Sequence, residues 1–135
     1  MADKKHYELI KEGPTQWNEW RHKNPGVNPD LSCSDLQDYD LTDVNFSKTD
    51  LKEANLFGVN LTRAKLKNAD LRSVNIYEAI LDYSDLSGAD FTKADGITAE
   101  QLQKALTDDD TKLPEYLRFE QKQGWLGRVL RFLGK

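Results

Sequence analysis

The chain has 135 residues, 38% of them hydrophobic, and a formal charge of −4. That is enough apolar content for one domain with a real core, and the wrong sign for direct nucleic-acid binding, which needs a basic patch. The single Cys33 excludes an internal disulfide and a cysteine-rich metal site, and fits a reducing compartment. No run of about 18 apolar residues offers a membrane-spanning helix. The opening MADKKHYELIKEG lacks the apolar stretch of a secretory signal, so a cytoplasmic location is expected.

The pattern divides the chain into 1–28, an N-terminal cap; 29–96, a repeat region; and 97–135, a helical cap with an amphipathic tail. In the first segment, PTQWNEWR predicts a short helix from Pro14 with Trp17 and Trp20 on one side. Pro25 and Pro29 bracket an extended lead into the repeats.

From there a large apolar residue recurs every five positions: Leu31, Leu36, Leu41, Phe46, Leu51, Leu56, Leu61, Leu66, Leu71, Ile76, Leu81, Leu86 and Phe91. Two residues before it stands a small one, such as Ala54, Val59, Ala64 or Ala69, and Asp or Asn usually separates the two. A helix repeats at about 3.6 residues and a strand at about 2, so five fits neither. If each pentad is one side of a square coil, four make a turn and residue i lies beneath i+20. The large residue then fills the axis and the small one lies near the wall. The spacing therefore predicts an all-β solenoid of about 3.4 coils, stacked at the strand-to-strand distance. Tyr39 breaks the small-residue rule in the first coil and reads as part of the N-terminal cap. The region 29–96 holds 13 acids and 7 bases, whereas each flank is +1.

Gly96 ends the pentads. Thr98 with Gln101 makes a capping box for a helix of about 99–106 presenting Leu102 and Leu106. The run Thr107-Asp108-Asp109-Asp110 breaks it, and a second helix is expected near Pro114, carrying Leu117. The tail GWLGRVLRFLGK puts Trp125, Leu126, Val129, Leu130, Phe132 and Leu133 on or near one helical side beside Arg128, Arg131 and Lys135. It is a candidate interface for packing, dimerisation or contact with an anionic membrane.

The pentads resemble the pentapeptide repeat family, whose pattern of Ala, Asp or Asn, Leu and two variable residues appears as Ala54-Asn55-Leu56, Ala69-Asp70-Leu71 and Ala89-Asp90-Phe91. The flanks WNEWRHKNPGVNPDLS and GITAEQLQKALTDDDTKLPEYL are also similar to segments bracketing the repeats in bacterial, often cyanobacterial, members. The resemblance implies a right-handed quadrilateral β-helix. It also implies that some relatives imitate B-form DNA and bind type II topoisomerases. Lys65 and Ile80 depart from the pattern at the Asp/Asn position.

Two surface features stand out. Asp30, Asp50, Asp70 and Asp90 should form one column of carboxylates. It could be a phosphate mimic or cation site, or simply a set of short polar groups bonded to corner backbone. Phe57 and Tyr77 should stack one coil apart on the outer wall, with Ile80 around the corner and Tyr83 beyond, a possible protein-binding patch. Nothing supports an enzyme or a cofactor. His6 and His22 lack metal-ligand spacing and Cys33 has no activating group. The reading is a non-catalytic solenoid that binds an unidentified protein or a second copy of itself. The alternative is a DNA-mimicking inhibitor or protector of a type II topoisomerase.

Overall fold

The computed structural model describes residues 1–117. Their helices are α1 (Lys4–Ile10), α2 (Pro14–Lys23) and α3 (Ala99–Leu102), and Glu115, Tyr116 and Leu117 are again helical. No β-strand occurs among the described residues, which overturns the all-β class and the right-handed quadrilateral β-helical solenoid expected from the spacing. The repeat is built from turns instead. Each central residue and the residue three on close a turn, as Ser34 N–H does to Leu31 O at 3.2 Å. The third residue of every turn is left-handed, with φ near +60° from Cys33 through Lys93. That conformation interrupts the extended run after a single paired residue, so the contacts between layers remain isolated bridges.

Those bridges are parallel and join i to i+20: Asp30 to Asp50, Asp35 to Asn55, Asp40 to Asn60 and Asn45 to Lys65, and onward. Between layers Leu31 N–H donates to Asp50 O, and Leu51 N–H to Asp70 O, both at 2.8 Å. All thirteen central residues are at most 1% exposed, and of the residues two before them only Tyr39 is not buried. Burying each such Leu or Phe stabilises the fold by roughly 1.5–3 kcal/mol. The small residues let the backbone close against the axial side chains.

The first layer would leave its backbone unpaired, and the N-terminal segment supplies substitutes. α2 lies under it with Trp17 fully buried, edge-on to Phe46 at 5.5 Å, its indole N–H donating to Asn45 O at 2.8 Å. Asn18 imitates a missing strand residue: its amide donates to Asp43 O at 2.9 Å and accepts from Asn45 N–H at 2.8 Å. Arg21, 9% exposed, donates to Asn45 O, Thr49 Oγ1 and Ser47 O. Burial lowers its guanidinium pKa. α1 escaped the sequence reading. Asp3 caps it by accepting from His6 N–H at 3.1 Å, and the His6 ring, 5.0 Å from Trp20, accepts from Asp30 N–H at 3.0 Å.

At the other end the chain after Gly96 continues the stack with a drifting register. Leu106 bridges Asp85 and Lys112 bridges Asp90, offsets of 21 and 22. The Thr98–Gln101 capping box forms, and the Gln101 amide also donates to Ile76 O and Ala79 O. α3 is four residues rather than the eight expected. Leu102 is buried, but Leu106, committed to the bridge, is 57% exposed.

Leu56 sits on the axis with neighbours above and below, so Leu56→Ala should lower unfolding free energy in urea by about 2–5 kcal/mol. A loss well under 1 kcal/mol would mean that the axis is not a close-packed column.

Candidate functional site

The acidic column is part of the scaffold. Asp30, Asp50, Asp70 and Asp90 are all half-buried, and each turns a carboxylate oxygen to the N–H two residues on, at 2.9–3.1 Å. The same bond recurs at Asp35, Asp40, Asn45, Asn55, Asn60, Asn75 and Asp85. This slot therefore takes a short side chain with an oxygen because the turn has a free N–H to satisfy. Arg72 also grips Asp70 at 2.9 and 2.7 Å, and Lys112 bridges the end of the column. Hydrogen bonding from Arg72 holds the Asp70 pKa down and the same pair raises that of Arg72. At Asp30 burial works in the opposite sense, but the Ser32 hydrogen bonds outweigh it and the pKa is again lowered. A column so committed to its own turns, with Asp70 paired to Arg72, makes a poor imitation of a phosphate backbone.

Lys65 and Ile80 cannot supply the turn oxygen. Ile80 is 44% exposed, and it stands between Tyr77, 53% exposed, and Tyr83, 65% exposed. Tyr83 occupies the left-handed corner at φ +62°, a costly conformation for a bulky side chain. Phe57 is half-buried, and its expected ring contact with Tyr77 is not among those the described residues make. The Tyr77 ring lies over Gly96 instead, close enough that a Cβ there would run into its face. Sequence reasoning missed two neighbours. Tyr116 donates its hydroxyl to Ile97 O at 2.9 Å beside this turn, and Leu106 extends the apolar rim in the layer above Asp85. Burial, followed by weaker effects of Asp95 and Tyr77, raises the Tyr116 pKa despite that hydrogen bond. Below Tyr83 in the same corner column, Arg63 holds Asp43 at 2.9 and 3.3 Å.

Cys33 is a free, exposed thiol whose Sγ lies 3.3 Å from Glu53 Oε2. No group of His, Cys, Asp and Glu able to hold a metal ion occurs among the described residues, and no helix among them is long and apolar enough to cross a membrane. The tail candidates Trp125, Leu126, Val129, Leu130, Phe132 and Leu133 lie outside the described residues.

Two outcomes check this geometry. The lowered carboxylate pKa values at Asp30, Asp40, Asp43 and Asp70 stabilise the fold above the ordinary value near 3.8. That stabilisation is lost as pH falls through the depressed folded values. The urea midpoint should accordingly drop as pH is lowered from about 4 towards 2, and less steeply in Arg72→Ala. Gly96 has φ +88°, so Gly96→Ala should cost more than about 1 kcal/mol. Part of that cost should vanish when Tyr77 is also Ala, and full additivity would show that the ring does not press on this turn.

Among curated proteins none matches the chain. Solved structures that resemble it include a pentapeptide repeat protein from Nostoc Pcc 7120, 27% identical over 75% of this chain and 84% of that one, TM-score 0.40, and a pentapeptide repeat protein from the cyanobacterium Cyanothece 51142, 24% identical over 64% of this chain and 66% of that one, TM-score 0.33. The family model for pentapeptide repeats matches residues 28–56 and 54–92 with eight copies. Membership points to a non-catalytic role in protein interaction. The chain belongs to the pentapeptide repeat family, a non-catalytic one.

Proposed function

We propose that the protein is a non-catalytic binding module that holds a protein partner, or a second copy of itself, against the wall formed by Tyr77, Ile80 and Tyr83, with Phe57 at its edge. The observation that carries this reading is Ile80. Eleven other residues of the same slot supply a turn oxygen, and Ile80 gives that bond up for an apolar side chain that is 44% exposed. Tyr83 adds a second unrewarded choice: a left-handed backbone position and a ring 65% exposed. Neither strengthens the core, and clustered exposed apolar groups mark contact surfaces. The free Cys33 thiol suits a cytoplasmic setting for such a module. The DNA-mimic reading has weaker support, because Arg72 and Arg63 break the negative face through their pairs with Asp70 and Asp43.

The test is Ile80→Asn with Tyr83→Asn, which installs residue types the repeat favours at both places. The double variant should be at least as stable as the parent, and in a native-lysate pull-down or in sedimentation it should lose the specific partner or the dimer. Retention of the same partner at the same yield, with stability unchanged, would overturn the reading.

A further inference from the structure

The second departure from the turn rule is Lys65, and it borders a different feature. A cleft of about 450 Å³ runs between the end of α2 and the corner column, lined by Asn18, Arg21 and His22, by Pro25, and by Asn45 and Lys65. Three of the seven lining side chains, counting Asp43, are basic in a chain whose net charge is −4. The carboxylate on the rim, Asp43, is held in two hydrogen bonds by Arg63. In the layer above, Asp85 turns its oxygen to Ser87 N–H.

Arg21 contributes a cation without an acidic partner. It is only 9% exposed, and its named bonds go to two carbonyls and one hydroxyl, none of them charged. Its Nε is buried with no hydrogen-bond partner. Three of its five N–H donors are spent in those bonds, and the Nε–H is one of the two that remain. Lys65 and His22 make no ion pair among the described residues. The carbonyl end of α2 contributes only about half a negative charge here, which the bases of its last turn exceed. A buried, uncompensated guanidinium beside an open ammonium lowers the cost of bringing an anion out of water.

We propose that this cleft is a binding site for a phosphate-sized oxyanion, held at the mouth by Lys65 and His22 and drawn in by the charge of Arg21.

The experiment titrates the full chain with inorganic phosphate at constant ionic strength set by potassium chloride, following thermal stability and the His22 imidazole resonances. Saturable stabilisation beyond chloride, with His22 shifting along the same curve, is the expected result. Lys65→Asn restores the residue type usual in this slot, so the fold should hold while affinity drops at least about tenfold. Lys93→Asn, on another face, should leave affinity unchanged. Methyl phosphate as a second probe separates the sources: binding comparable to inorganic phosphate means a monoester fits, and binding of inorganic phosphate alone means the free ion. No effect beyond chloride would overturn the proposal. So would equal affinity in Lys65→Asn and His22→Gln.

Discussion

Each layer hangs from the next by the bond that a central residue's N–H donates to a bridge carbonyl nineteen residues on, as from Leu31 to Asp50, Leu51 to Asp70 and Leu71 to Asp90, all at 2.8 Å. Holding that register fixes nearly everything else. It superposes Leu36, Leu56 and Ile76, and it places every small residue where the wall closes. It sets every third turn residue in the left-handed region, where eleven non-glycine side chains are nonetheless accommodated. The register also creates the two problems the flanks solve, since a first and last layer have nothing to pair with. Trp17, Asn18 and Arg21 answer one end with side-chain donors and acceptors, and the segment carrying Leu106 and Lys112 answers the other with its own backbone.

A repeat this regular turns its exceptions into information. An Asp or Asn in the bridge slot is explained by the N–H two residues on, so the acidic column carries no functional meaning by itself. Lys65 and Ile80 forfeit that bond, a loss on the order of 1 kcal/mol apiece. The two lie in adjacent corner columns, bridging Asn45 and Asn60. One exception faces a cleft whose other cation is buried without an acid, and the other faces two exposed tyrosines. A loss of turn stability at both places is compensated by nothing in the core, since both side chains point away from it.

Much of the interior was legible because it depends on spacing alone. Thirteen central residues and their small companions could be assigned from a period of five, and the Thr98–Gln101 capping box from its two residues. The strand class was not legible and the expectation failed. A period says which residues superpose, but whether the backbone stays extended for two successive pairs depends on φ at Cys33, Asp38 and their equivalents. Those residues are not glycine and give no warning of a left-handed turn. Leu106 was misplaced for a similar reason: it fits the apolar face of a helix, and only the competing bridge to Asp85 turns it outward. The cap bonds of Asn18 and Arg21 were invisible because each joins residues more than twenty apart with no pattern between them.

The outer wall shows where sequence reading and structure meet. Phe57 and Tyr77 are one layer apart by register, which suggested a stacked pair, yet register constrains backbones and not rings. Gly96 leaves open the space over the next turn, and the Tyr77 ring takes it in place of contact with Phe57. The result moves the centre of the exposed surface from the Phe57 side to the corner at Ile80 and Tyr83. Because Gly96 ends the repeat and begins the C-terminal cap, that surface borders the junction between the two. A partner seated on it would touch both the last regular turns and the cap that closes them, so its binding would stabilise the end of the stack as well as its side.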